Sequence, residues 1–324
     1  MAKAQLLFET GGPEVFTWSD IKVEAPAEGQ VRLRHTAVGL NYIDTYHRSG
    51  LYPIDLPTVI GSEGVGVVEA VGAGVSLVKP GERVGYAGVA GSYAEERLIP
   101  ADRLVKIPDG VSDRDAAALM LKGMTVEYLF HRTYRVGAGQ TILFHAAAGG
   151  VGLIACQWAK ALGVRLIGTA GGPDKVARAK AAGAEHVIDY NAEDFVARLM
   201  ELTDGRGVSV VYDSVGKDTF ERSIGCLAPR GMLVSFGQSS GPVPPVNLAV
   251  FAPKAAYYTR PSLAVYNRAR NDLEASAAKL FEMVASGAVK ADIGQTWPLA
   301  EVQAAHTALE GRRTQGATIL TVGD

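Results

Sequence analysis

Apolar and polar positions alternate along the first third of the chain in short runs. Gln30-Val31-Arg32-Leu33-Arg34 and Val65-Gly66-Val67-Val68-Glu69-Ala70-Val71 are clear cases, with glycine and proline punctuating the spaces between them. A period of two fits a strand with one face in a core, and the frequent turns predict a compact β-barrel-like domain. From Met120 the texture changes: Ala-rich helical segments alternate with short Val/Ile/Leu runs, the pattern of repeated βαβ units and a parallel sheet. Strands are expected near 141–146, 164–169, 186–189, 208–213 and 232–236, with helices in the gaps. The helix over 152–162 stops at Gly163, and the one over 173–182 opens on Pro173 and stops at Gly183, residues suited to those ends.

Beyond Phe236, the stretch Gly241-Pro-Val-Pro-Pro245 reads as a loop and the aromatic run over 257–266 as the place of a sheet-edge strand. Amphipathic helices follow over 272–285 and 299–309, and a closing strand over 317–322 returns the tail to the first domain. The expected division is a discontinuous domain of 1–123 and 262–324 around a domain of 124–261. No repeat of 20 to 50 residues and no low-complexity tract interrupts it.

Composition narrows the class of function. At 324 residues the chain suits two cores, and 48% hydrophobic with 20% charged residues is an ordinary globular balance. A net charge of −2 with the two signs interspersed lacks the basic footprint that grips phosphate backbones, so nucleic acid is not the expected partner. The apolar runs fall short of the roughly 20 residues that span a bilayer. The opening MAKAQLLFETGG has too short an apolar stretch for a secretory signal, which predicts a cytoplasmic protein. Cys156 and Cys226 are too few and too distant for a disulfide framework and read as reduced, buried thiols.

The sharpest chemical signal is Phe144-His145-Ala146-Ala147-Ala148-Gly149-Gly150-Val151-Gly152, between a strand and an Ala-rich helix. Its A-x-G-x-x-G form has Ala147 where the full dinucleotide fingerprint has its first glycine. Gly149 lets the backbone approach a pyrophosphate, Gly152 lets helix and strand pack closely, and Ala148 to Val151 present the N–H groups of a helix N-terminus. Alone the motif could be a turn that binds nothing; its strand-turn-helix context makes it a nucleotide site. An NAD site would carry an acid at the end of the second strand, to bind the ribose hydroxyls. Here that end reads Gly168-Thr169-Ala170-Gly171-Gly172. The glycines leave room for a 2′-phosphate, Lys175 supplies charge and Tyr190 a hydroxyl, which predicts NADPH; Asp174 is the residue that could bind ribose instead.

Val38-Gly-Leu-Asn-Tyr-Ile-Asp44, Gly61-Ser-Glu-Gly-Val-Gly-Val-Val-Glu-Ala-Val-Gly72, Ala147-Ala-Gly-Gly-Val-Gly152, Val211-Tyr-Asp-Ser-Val-Gly216 and Thr314-Gln-Gly-Ala317 together resemble the NADPH:quinone oxidoreductases. These are the zeta-crystallin-like, zinc-free branch of the medium-chain dehydrogenase/reductase superfamily. The resemblance implies an α/β protein: a GroES-like β-barrel catalytic domain from both chain ends, a doubly wound Rossmann domain between them, and a cleft where they meet. It also implies a homodimer joined through the Rossmann sheet edges, with 257–259 the candidate edge. The zinc alcohol dehydrogenase branch has Cys in place of Asn41 and G-H-E in place of Gly61-Ser62-Glu63. A catalytic zinc needs about three protein ligands. The six histidines, His35, His47, His131, His145, His186 and His306, lack ligand spacing, so no metal is expected.

In this reading Asn41 and Tyr46 contact the nicotinamide end of the cofactor or the quinone oxygen, Tyr52 shapes the quinone pocket, and Asp44 orients them. The same resemblance places Thr125 near the nicotinamide, Ser214 beside the adenosine, Phe236, Gly237, Gln238 and Ser239 around the cofactor, and Arg312, or its neighbour Arg313, on a phosphate. Two rival readings are an NADPH-dependent enone or alkenal double-bond reductase and, in a different class, an NADPH-binding RNA-binding or crystallin-like structural protein.

Overall fold

Eight strands form within the first 106 residues, where the alternating runs lie. They are β1 (Ala2–Leu7), β2 (Phe16–Ile21), β3 (Gln30–Leu40), β4 (Thr58–Val59), β5 (Glu63–Val71), β6 (Arg83–Ala87), β7 (Glu96–Pro100) and β8 (Val105–Lys106). The structure, a computed structural model, describes residues 1–323. In β3 the side chains of Val31, Leu33 and His35 are buried in alternation, as a one-faced strand requires, and from Ala37 every residue to Leu40 is buried. The imidazole of His35 is held inside the barrel between the Ala94 carbonyl at 2.6 Å and the Tyr86 hydroxyl at 2.8 Å.

The second run of strands is β9 (Thr141–Phe144), β10 (Arg165–Ala170), β11 (His186–Asp189), β12 (Val208–Asp213), β13 (Leu227–Ser235) and β14 (Tyr257–Thr259). They form one sheet in the order β11-β10-β9-β12-β13-β14 with every pairing parallel, the doubly wound order 3-2-1-4-5-6. Its core includes Leu143, Ile167, Ile188, Val211 and Leu233, one from each of five strands, under helices such as Phe195–Leu202 and Phe220–Cys226. The last strands, β15 (Ile293–Pro298) and β16 (Ala317–Thr321), extend the first domain's larger sheet, ordered β15-β16-β3-β5-β6-β8 with β7 also on β3. A smaller sheet, β2-β1-β4, completes that unit.

Backbone contacts divide the chain into a first unit of Met1–Met124, Asn267–Phe281 and everything from Ala291, and a second of Thr125–Tyr266 and Glu282–Lys290. Two stretches lie across the boundaries expected from sequence. Residues 262–266 stay with the second unit because Tyr266 stacks on Tyr128 at 4.6 Å and its carbonyl accepts from Arg132 at 3.0 Å. Residues 282–290 return to it because Lys290 and Gln157 exchange hydrogen bonds of 2.8 and 3.2 Å.

Other local differences have similar causes. Only Tyr257–Thr259 of the aromatic run is a strand, since Pro261 cannot donate to a ladder. The segment 299–309 opens as a 3-10 turn, Leu299–Glu301, before the α-helix Val302–Glu310. β9 ends at Phe144 because Ala146 takes a left-handed φ of 54° to start the turn. Strand β15 and the helix Tyr42–Arg48 have no counterpart in the sequence reading; the helix is seven residues long, too short to show a period. Among the described residues no helix is long and apolar enough to cross a membrane.

Candidate active site

Asn41 ends β3's run and caps the helix Tyr42–Arg48 in a reciprocal capping box with Asp44, whose Oδ2 accepts from the Asn41 backbone N–H at 3.0 Å. That short helix and the turn after it bring the four residues expected from the first domain together. The Tyr46 ring lies 5.2 Å from Tyr52 and 5.7 Å from Tyr42, and the Tyr52 N–H donates to the Tyr46 carbonyl at 3.0 Å.

Beneath them lies a polar network in which two carboxylates are wholly buried. Asp44 accepts from Ser62 Oγ at 2.7 Å and from the Tyr93 hydroxyl at 2.8 Å. The Tyr93 oxygen is 3.0 Å from His306 Nε2, whose Nδ1 is 3.0 Å from Arg48 Nη1, and Arg48 pairs with Glu310 at 2.7 Å. Since an arginine can only donate, Nδ1 accepts and Nε2 carries the proton. Burial raises the Asp44 carboxyl to about 6 despite the bonds from Ser62, Tyr93 and Asn41 that oppose it. Burial, aided by the Arg48 charge, lowers His306 to about 3.

Glu63 opens β5 with its side chain fully buried, and accepts from the Leu121 N–H at 2.7 Å, from Lys122 Nζ at 3.0 Å and from Asn41 Nδ2 at 2.9 Å. Glu63 is the acid common to this chain and the zinc pattern, and its oxygens are committed to these donors. Among the described residues no group of three or more His, Cys, Asp and Glu side chains could hold a metal ion.

In the second unit, the expected cofactor residues other than Thr125, which lies in the helix Asp113–Tyr128, follow the carboxyl ends of the parallel strands, where ligands bind doubly wound sheets. Gly149 caps the helix Gly150–Ala161, so Ala148, Gly149, Gly150 and Val151 form the turn and first helical residues after β9. A Cβ on Gly149 would meet only the Ala146 carbonyl, at 3.2 Å, leaving the helix's opening N–H groups approachable. On Gly152 it would lie 2.4 Å from that carbonyl, the close packing predicted for this position. At the end of β10, Gly171 faces Tyr190, whose hydroxyl would be 2.5 Å from an added Cβ, and Gly172 has a φ of 91° that admits glycine. Lys175 lies in the first turn of the helix Pro173–Ala181, half-buried, while Asp174 is exposed.

Ser214 follows β12, and Phe236, Gly237, Gln238 and Ser239 follow β13. Gly237 packs on Ser214 so tightly that a Cβ would lie 2.7 Å from its carbonyl, and the Ser239 N–H donates to that same oxygen at 3.1 Å. Gln238 accepts from Arg260 at 2.9 Å. Thr125 is buried at the start of this unit; Arg312 belongs to the first unit, exposed at a left-handed φ of 56°. The fit to a phosphorylated dinucleotide therefore rests on the glycine turn and on a β10 tip whose own residues, Gly168 to Gly172, include no acid.

Sequence reasoning missed several supports. Asp189 accepts from the Gly172 N–H at 2.9 Å and shapes the β10 loop. Asp213 accepts from the Val215 and Gly216 N–H groups at 2.8 and 3.1 Å and shapes the β12 loop. Buried His145 lies 2.9 Å from Thr169 Oγ1 and 3.0 Å from Ser223 Oγ, and Ser223 donates to Asp213 at 3.2 Å. Lys122 had one visible signal, a lone cation in the apolar run from Ala116 to Met124.

Comparison with known proteins follows the same division. Residues 27–109 match the alcohol dehydrogenase GroES-like domain and residues 150–282 the zinc-binding dehydrogenase family. The chain is 52% identical to a quinone oxidoreductase of Pseudomonas aeruginosa over 99% of both proteins. It is 42% identical to a 2-haloacrylate reductase of Burkholderia, again over 99% of both. A crystal structure of Escherichia coli quinone oxidoreductase complexed with NADPH superimposes with a TM-score of 0.97 at 48% identity, covering 98% of this chain and 99% of that one.

The buried groups set the acid response. His35 and His306 fall to about 3, and burial lowers His145 as well, so below 6.5 the unfolded chain takes up protons that the folded protein refuses. Asp44, raised from 3.8 to about 6, acts with the opposite sign between those values. With His47, which burial lowers too, four histidines outweigh one carboxylate, so Tm falls as pH drops from 6.5 towards 4, and the slope is shallower in His35→Gln. A Tm that rises over this range contradicts the assignment.

Proposed function

This chain belongs to the quinone oxidoreductase family of medium-chain dehydrogenases, and we propose that it reduces quinones with NADPH by direct hydride transfer, without a metal. The observation that carries the cofactor choice is the tip of β10. The residues that form it, Gly168 to Gly172, include no acid to bind ribose hydroxyls, the Tyr190 hydroxyl packs at Gly171 and Lys175 lies in the first turn of the helix that follows, which supports a 2′-phosphate at this end. NADPH supplies the hydride; with one proton from solvent, the quinone becomes a hydroquinone. Ala148 to Val151 hold the pyrophosphate, Gly171, Gly172, Lys175 and Tyr190 the 2′-phosphate end, and Thr125, Ser214, Phe236 to Ser239 and Arg312 the remainder. Asn41, Tyr46 and Tyr52 border the reacting rings, with Asp44 holding the cap that orients them.

Alcohol oxidation must remove a weakly acidic proton, for which a Lewis acid helps. A quinone product delocalises its own charge, so the protein's contribution is chiefly to hold donor and acceptor at near-attack distance. The 42% identity to a 2-haloacrylate reductase favours a second reading, reduction of an activated carbon–carbon double bond by the same cofactor.

The exposed Tyr257 and Tyr258, 57% and 42% accessible on the edge strand β14, support a homodimer through that edge. Two buried, unpaired thiols suit a reducing, cytoplasmic location.

Three measurements test this reading. Lys175→Ala should raise the KM for NADPH roughly ten- to hundredfold, the worth of a charged hydrogen bond, and that for NADH far less; equal effects refute the 2′-phosphate role. Across benzoquinones, naphthoquinones and α,β-unsaturated carbonyls, kcat/KM should be highest for a quinone and drop when Tyr46 and Tyr52 are both replaced by Ala. A 2-haloacrylate as best substrate would establish the second reading instead. Light scattering should give a dimer that Tyr257→Glu/Tyr258→Glu converts to monomer, and a monomeric parent protein would remove that part.

A further inference from the structure

We infer that the buried Glu63–Lys122 ion pair positions Asn41, turning its side-chain amide so that it can accept but not donate a hydrogen bond, and that its partner is the carboxamide N–H of the nicotinamide. The inference rests on the NADPH reading above and deepens it. A primary amide has two N–H donors and one carbonyl oxygen with two lone pairs. Asn41 Nδ2 is 2.9 Å from Glu63 Oε2 and 3.3 Å from the Gly39 carbonyl, which occupies both donors. Its oxygen faces the Asp44 N–H in the capping box, but that N–H donates to the Asn41 main-chain carbonyl at 3.0 Å, so the side-chain oxygen keeps lone-pair capacity for a ligand.

The opposite amide orientation would set Asn41 Oδ1 against a carboxylate oxygen and the Gly39 carbonyl oxygen, two acceptors facing a third. Glu63 has no freedom to relieve that clash. Leu121 N–H holds its Oε1 at 2.7 Å and Lys122 Nζ its Oε2 at 3.0 Å, with the two side chains 0% and 6% exposed. Gly39 is part of the same arrangement, because a Cβ there would lie 2.3 Å from Glu63 Oε2. An ion-paired carboxylate is acceptor-only, so it dictates which end of the amide faces it. That amide oxygen cannot bond a quinone oxygen, which only accepts. It suits a carboxamide N–H, and Asn41 thereby helps set the face of the nicotinamide ring without touching the quinone.

The test is equilibrium binding of three probes: NADP⁺, its 3-acetylpyridine analogue, in which a methyl ketone replaces the carboxamide and removes its N–H groups, and adenosine 2′,5′-bisphosphate. The parent protein should bind NADP⁺ about tenfold more tightly than the analogue, the worth of one hydrogen bond. In Glu63→Gln/Lys122→Met, which removes both charges at similar volume, that preference should fall to about twofold or less while bisphosphate affinity is unchanged. Loss of the preference with bisphosphate binding intact is not what general damage to the fold would produce. Should the double variant fail to fold, Asn41→Ala must lose the preference in its place.

Equal affinities of the parent protein for NADP⁺ and the analogue overturn the inference, as does a variant that retains the preference. If neither NADP⁺ nor the bisphosphate binds the parent protein, the NADPH reading fails and this inference falls with it. Binding of both without discrimination overturns the inference alone.

Discussion

Two carboxylates, Asp44 and Glu63, are buried in the first unit without solvent, and the local structure is organised around satisfying them. An unpaired buried charge costs several kcal/mol, and breaking such a pair typically costs about 3–5 kcal/mol. Each oxygen therefore has its donors in place. Glu63 draws in the Leu121 N–H, Lys122 and Asn41; Asp44 draws in Ser62, Tyr93 and the Asn41 N–H. Asn41 is the residue common to both sets. Its backbone position and the orientation of its amide follow from that double engagement, and the short helix carrying Tyr42 and Tyr46 follows from the cap it forms with Asp44.

The second unit applies the same principle to backbone groups. A loop that must leave N–H groups open to a phosphate needs other groups to hold its shape. Asp189 and Asp213 do this by accepting loop N–H groups, and His145, its pKa lowered by burial, reaches Asp213 through Ser223. Lysine and tyrosine at the rim can then meet a ligand without also having to define the loop.

Chemistry follows from which hydrogen-bonding positions are already filled. Lys122, paired with Glu63, is a fixed positive charge, so the pair supplies orientation and leaves reactivity to the bound cofactor and substrate. This division of labour suits hydride transfer to an acceptor that stabilises its own product charge, where geometry contributes most of what the protein can add.

Period, glycine placement and short motifs are local properties, and they determined the class of fold, the strand-turn-helix at Gly149 and the absence of an acid at Gly171-Gly172. β9 to β13 lie close to the runs that predicted them because each strand's apolar residues are contiguous in sequence. Tertiary structure alone decided the partners of buried charge. Lys122 and Glu63 are 59 positions apart, and Arg48 and His306 are 258 apart. No spacing rule links them, because their association depends on desolvation after β3, β5 and the later helices have packed. The same holds for 282–290, whose return to the second unit depends on Gln157, a contact that exists once both segments have folded.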